Sequence, residues 1–402
     1  MTVTAAPSRY TIISSDCHAG GNHAQYREYL EDRYKADFDA WRGGYKNPFR
    51  DLQDDGRSRN WDNDRRVGDL DAEGVAAEVV FPNTVPPFFP TGVVVAPAPR
   101  PEELEIRLVG IRAHNRWLAD FVGALPDRRV GLGQIFLNDV DEAIADVRWC
   151  KAHGINAVLL PGVSPDTPWI EPLYSPVYDR LWAVCQELAM PVTHHSGGSG
   201  LPNYPATPIR NFLFSMETGF FCNRALWHLV MSGVFARFPD LKLVLTEQGA
   251  RWVPDALRRM DEFHAQMVKG RIGELGVDAD AVLPRTPSEY FRSNVWIGAS
   301  FPSPSEARYL PEIGLDKIMW GSDYPHHEAT SPYSRESLRR SFSEWSEPDL
   351  RRILAENAAE VYGFDLPKLD ALAAIIGPTV EEIAEPLERI PEKATSPAFL
   401  RD

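Results

Sequence analysis

Short runs of apolar and β-branched residues recur along the chain, each ending in polar, Gly or Pro positions and each followed by a stretch with helical periodicity. Eight such runs fall at 10–15, 76–81, 130–137, 157–160, 191–195, 242–246, 295–298 and 317–320. Most are apolar at successive positions rather than alternating, the pattern of strands covered on both faces. Between them, 101–124, 139–153, 175–189, 223–238, 253–268 and 347–362 read as helices, with Gly154, Pro191 and Gly363 as stops. Eight βα units predict a distorted (β/α)8 TIM barrel. Two insertions break the rhythm after strands 1 and 2: 35–70, rich in Asp, Arg, Asn and aromatic residues, and the Pro-rich 82–101. A loop of the second kind is expected to be a lid or a subunit contact. The barrel is taken as 1–365, and 366–402 as a helical C-terminal extension packed on it or on a partner subunit.

The 402 residues, 44% hydrophobic and 25% charged, have the composition of a globular protein, and no apolar run approaches the roughly 18 residues of a membrane helix. The formal net charge of −15 argues against nucleic acid and anionic membrane surfaces as partners. Cys17, Cys150, Cys185 and Cys222 are widely spaced and form no C-x-x-C, so neither a zinc knuckle nor a disulfide framework is signalled. Residues 1–10 lack the apolar core of a signal peptide. Reduced thiols and a cytoplasmic location are expected.

In a barrel of this kind chemistry gathers where the strands end at their C-terminal side. Run 1 leads into Asp16-Cys17-His18, run 5 ends in His194-His195, run 6 is followed by Glu247 and run 8 by Asp323. Oxygen and imidazole ligands thus converge from four strands. The period of 2 puts Asp16 and His18 on one face and turns the adjacent His194 and His195 opposite ways, so His195 is expected at the ion. His194 is then either a satisfied buried histidine or a substrate contact. His326 and His327 fall in a loop, open to substrate binding or to simple solvation. Arg251, a turn beyond Glu247, is either a clamp for a substrate carboxylate or a partner of Glu247 or Asp255. Trp41, Tyr45, Trp61, Phe88 and Phe89 suit a pocket for a flat substrate or packing between subunits of a homo-oligomer. No G-x-S-x-G, P-loop, H-E-x-x-H or dinucleotide fingerprint is present.

ISSDCHAG at the first strand, MPVTHHSGG at the fifth, LVLTEQGARWVPDALRRMD at the sixth, IMWGSDYPH at the eighth and ILAENAAEVYGFD near the end resemble the amidohydrolase superfamily. The likeness is to its amidohydrolase-related branch, which includes aminocarboxymuconate semialdehyde decarboxylase, γ-resorcylate decarboxylase and related hydrolases, and it runs from about Thr11 to Asp365. It implies that Asp16 and His18 are the first-strand ligand pair, His195 the fifth-strand ligand, and Asp323 the eighth-strand aspartate that binds metal and handles protons. The chain departs from the decarboxylases of the branch at Glu247, where they usually carry a histidine implicated in proton transfer.

These features lead to one expected activity and two alternatives. The expectation is a hydrolase of a small carboxylated or cyclic molecule, with one divalent ion per chain, zinc first and manganese second, activating a water. Asp323 is its expected base, and Glu247 lies in or beside the metal shell as a second catalytic carboxylate. The alternatives are nonoxidative decarboxylation of an aromatic or dienoic acid, or a barrel that only binds.

Overall fold

The computed structural model describes residues 8–47, 52, 55–93, 96–198 and 200–400. Parts of both insertions, Ser199 and the two termini lie outside them.

Eight parallel strands form one sheet: β1 (Ile13–Ala19), β2 (Ala77–Pro82), β3 (Arg129–Gln134), β4 (Ala157–Leu159), β5 (Val192–His195), β6 (Leu243–Thr246), β9 (Val295–Ser300) and β10 (Ile318–Gly321). A small antiparallel ribbon, β7 (Arg271–Ile272) with β8 (Leu275–Gly276), sits outside it. Each barrel strand pairs with the next in chain order. Beyond Gly321 the chain runs on beside β1, where Asp323 N–H donates to Asp16 C=O at 2.8 Å and His18 N–H to Tyr324 C=O at 2.6 Å. Those bonds join the last strand to the first, giving the expected (β/α)8 barrel.

The first strand lies further along the chain than its apolar run. Periodicity placed it at 10–15, ahead of the polar Asp16-Cys17-His18, but pairing with β2 carries it through Ala19. A bulge between Ser14 and Cys17 inserts one residue, and the Ser14 and Ser322 hydroxyls, 3.0 Å apart, satisfy the polar groups inside it. A bulge of this kind re-aims side chains at a barrel rim.

Ile13, Ala77, Val130, Ala157 and Val244, near the starts of their strands, share a buried cluster with Ala358, Val361 and Tyr362. That helix, Asn357–Tyr362, covers the N-terminal end and leaves the C-terminal end for a site. Insertion 35–70 is more regular than its composition suggested, holding the helices Lys35–Gly44 and Asn63–Glu73. Asp62 caps the second, and Gly74 ends it with φ +78°. The helix expected at 223–238 begins at Arg210, because Phe212, Met216 and Phe220 are exposed and mask its amphipathic period. It ends at Met231, just before Gly233.

The C-terminal extension folds back on the barrel. Arg335 pairs with Glu382 at 3.1 Å, and Ala398 and Phe399 pack on Phe301. Among the described residues no helix is long and apolar enough to cross a membrane. All four cysteines are buried free thiols, and burial pushes Cys17 and Cys185 up to about 12, which leaves them inert.

Candidate metal centre

Asp16 and His18 project from β1, His195 is the last residue of β5, Glu247 follows β6, and Asp323 lies two residues past β10. His18 Nε2 is 3.2 Å from Asp16 Oδ1 and 3.2 Å from Asp323 Oδ1, while His195 Nε2 is 3.6 Å from Asp16 Oδ1 and 3.4 Å from Glu247 Oε2. Asp16 Oδ1, His18 Nε2, His195 Nε2 and Asp323 Oδ2 are buried with no hydrogen-bond partner among the described residues. Buried polar atoms are ordinarily paired. Ligand atoms of Asp16, His18 and His195 lie within 4.8 Å of one another, and Asp323 adjoins them through His18; such spacing fits a cation, since tetrahedral ligands at about 2.1 Å from an ion lie about 3.4 Å apart.

Local backbone features hold this geometry. Glu247 and Asp323 adopt φ +56° and +63°, a region costly for residues other than Gly, Asn and Asp, so each strand turns sharply at its rim. A Cβ on Gly321 would fall 2.6 Å from Asp16 Cβ, so only glycine lets β10 approach β1 this closely. Ser300 donates to Asp16 Oδ2, and Gly197 N–H reaches His195 Nδ1 at 3.0 Å. Phe81 packs under both imidazoles, its ring centroid 4.7 Å from that of His195 and 5.6 Å from that of His18. Behind β1 and β2, Arg66 donates to the His18 carbonyl at 2.8 Å and, with Arg129, grips the buried Glu78.

Charge follows from this packing. Burial opposes ionisation of Asp16, but the His18 and His195 imidazoles outweigh it and hold its carboxyl well below the usual range. Burial likewise opposes charge on His18, and Asp16 and Asp323 raise it well above an ordinary histidine. Glu247 goes the other way. Its burial, aided by the charges of Asp323 and Asp16 and resisted by His195, pushes it up to about 7, and Ser196 donates to its Oε2.

The remaining residues singled out in the sequence divide. His326 is tied to the cluster, its Nδ1 2.8 Å from Asp323 Oδ1 and its Nε2 3.1 Å from Asn83 Oδ1, and its ring lies 4.0 Å from that of His18. His327 is exposed. His194 points away from the cluster, where the Gln248 side-chain amide meets its Nδ1 at 2.9 Å, and burial holds it down to about 3. Arg251 is exposed with its guanidinium 5.2 Å from the Tyr309 ring centroid, and among the described residues it makes no ion pair with Glu247 or Asp255. Ser196, Ser300 and Asn83 escaped the sequence reading. Serine and asparagine carry no spacing signal, although Asn83 directly follows Pro82 at the end of β2.

Comparison with known proteins bears on the reaction. The chain is 25% identical over 295 residues to γ-resorcylate decarboxylase of Polaromonas sp. strain JS666, covering 67% of this chain and 79% of that protein. It is 25% identical over 318 residues to 2-amino-3-carboxymuconate-6-semialdehyde decarboxylase of Dictyostelium discoideum, covering 77% and 78%. Its fold matches the crystal structure of dihydroxybenzoic acid decarboxylase from Polaromonas sp. JS666, with a TM-score of 0.62 at 20% identity over 88% of this chain and 97% of that one. These relatives correct the expected hydrolase, because both aligned proteins are carboxy-lyases. The amidohydrolase family matches residues 55–364, more than half of the chain, and the chain belongs to that family.

Proposed function

We propose that the chain is a metal-dependent carboxy-lyase that removes the carboxyl group of a small aromatic or unsaturated acid without oxidation. The observation that carries this reading is the set of four buried, unpartnered donor atoms on Asp16, His18, His195 and Asp323, in a chain whose aligned relatives are decarboxylases. Two imidazoles and two carboxylates suit zinc, as the sequence suggested, and equally manganese, which the Polaromonas structure holds together with an inhibitor, 2-nitroresorcinol. When bound, the cation supplies a positive anchor for the acid.

This chain's own residues do the rest. Asp16, His18, His195 and Asp323 hold the charge, while His326 fixes Asp323 Oδ1 and is itself held by Asn83. Phe81 excludes water beneath the histidines. The side chains of Asp16 and Asp323 are fully buried, whereas that of Glu247 keeps 20% exposure, so of the three carboxyls it is the one an entering acid can reach. Glu247 is therefore assigned as the proton donor. The C–C electron pair stays on the ring or diene carbon, Glu247 gives that carbon its proton, carbon dioxide leaves, and Glu247 regains a proton from solvent.

The test is to incubate metal-loaded protein in heavy water with carboxyl-labelled aromatic and dienoic acids, 2,6-dihydroxybenzoate first. Labelled carbon dioxide and one deuterium on the vacated carbon are expected. Turnover of an acid with neither product, or no turnover of any such acid by fully loaded protein, overturns the reading.

A further inference from the structure

The two insertions build a second feature beside the metal cluster. The Lys35–Gly44 helix and the loop after β2 are clamped together by Trp41 Nε1–H donating to Phe89 C=O at 2.9 Å, Lys46 N–H to Thr91 Oγ1 at 2.6 Å and Gly92 N–H to Lys46 C=O at 3.0 Å. Between them and the Leu104–Gly123 helix lies a cleft of about 510 Å³, lined among others by Trp41, Tyr45, Phe88, Phe89, Arg107 and the acidic Glu103, the residue just before that helix. Its size and its mostly apolar lining suit a small molecule.

Arg107 is the unusual member. It is 2% exposed, yet among the described residues no carboxylate pairs with it, and its buried Nε has no partner. Among the described residues its one hydrogen bond goes to Pro97 C=O at 3.3 Å. Burial alone holds its guanidinium down to about 10, against a weak opposing pull from Glu103. Arginine is almost never buried unless paired. Phe89 covers the guanidinium at 3.9 Å and Phe136 lies 5.5 Å away, so the free hydrogen-bonding capacity is at its edge. An in-plane, two-oxygen acceptor is the group that edge matches. Phe88, in the same wall, is held at φ +66°, a strained setting for an aromatic residue and one that clusters at binding sites.

We propose that this cleft is a binding site for an aromatic carboxylate, with the carboxylate on the edge of Arg107 and the ring against Trp41, Tyr45 and Phe88. The site is separate from the ligand cluster and does not rest on the carboxy-lyase reading. The His23 ring links the two regions. It lies 5.0 Å from both the Trp41 and Tyr45 rings, and its Nε2 is 3.1 Å from the carbonyl of Val85, two residues beyond Asn83.

The probe is benzoate, titrated calorimetrically into the full chain stripped of metal. In that state the cluster lacks the cation that would anchor an acid, so the cleft is read alone. One benzoate per chain is expected, with benzamide at least ~10-fold weaker because it lacks the charge. Arg107→Met, which fills the space without charge, should weaken benzoate at least ~10-fold while metal uptake stays intact, and Trp41→Ala should weaken it with Arg107 in place. If Arg107→Met does not fold, the benzamide comparison on the unmodified chain and Trp41→Ala decide. Absence of benzoate binding at about 10 mM, equal binding of benzamide, or unchanged binding by a folded Arg107→Met protein overturns the proposal. The labelled carbon dioxide assay fails or succeeds independently of all three.

Discussion

The backbone N–H of Asp323 donates to the carbonyl of Asp16 at 2.8 Å, and this bond both closes the barrel and sets two carboxylates on one wall. Closure and ligand placement are therefore one structural event. The left-handed turn at Asp323 and the missing side chain at Gly321 both serve it.

Asp323→Asn should separate the ligand role from the backbone role. Asparagine tolerates the left-handed region, so the metal-free variant should unfold in urea close to the parent. Asp323→Ala loses the same ligand and adds strain of about 1 kcal/mol relative to Asn. Both should lose metal affinity at least ~10-fold. Equal metal content in Asp323→Asn and the parent, measured by elemental analysis after dialysis, would remove Asp323 from the ligand set.

The paired histidines offer an internal control. His195→Ala takes away a donor atom already facing Asp16 and Glu247, and should abolish stoichiometric metal. His194→Ala breaks only the contact with Gln248 and should cost stability while metal stays bound. Reversed metal contents would place the wrong histidine at the centre.

The opposite facing of His194 and His195 was legible because neighbours on a strand alternate, whatever the fold around them. The convergence of Asp16, His18, His195 and Asp323 was legible for a similar reason: parallel strands of a barrel all end on one side. What could not be read were features set by contacts between distant segments. The bulge that carries β1 through Asp16 depends on pairing with β2 and on Ser322, more than 300 positions away. The raised Glu247 depends on burial and on two carboxylates from other strands, which its residue type does not reveal; the hydrolase expectation drawn from that residue type is overturned by the aligned decarboxylases. Nothing in the local sequence marks Arg107, whose burial without a carboxylate partner among the described residues is a tertiary feature.

Glu247→Gln keeps the shape of the side chain and its contact with Ser196 but cannot give up a proton to carbon. If Glu247 is the donor, turnover of an accepted acid should fall at least ~100-fold while metal content and KM change little. Deuterium incorporation measured at single turnover should fall in step with carbon dioxide release. Near-normal turnover with full metal content would reassign the proton to another group.

The buried Arg66–Glu78–Arg129 set behind β1 gives a pH prediction with a defined sign. Burial pushes the Glu78 carboxyl up, but the two guanidinium groups outweigh it and hold it at about 2, against an ordinary 4.5. The folded chain thus keeps Glu78 ionised where the unfolded chain takes up a proton, so the pairing contributes its full stability above about 4.5 and loses it as pH falls towards 2. Near neutral pH, Glu78→Gln leaves two buried guanidinium groups without their partner and should cost about 3–5 kcal/mol in urea unfolding. Because Arg66 also holds the His18 carbonyl, the variant should bind metal more weakly at neutral pH. The stability gap between variant and parent should shrink steadily below pH 4.5. A gap that stays constant down to pH 3 would mean that Glu78 is not the group whose ionisation the two arginines stabilise.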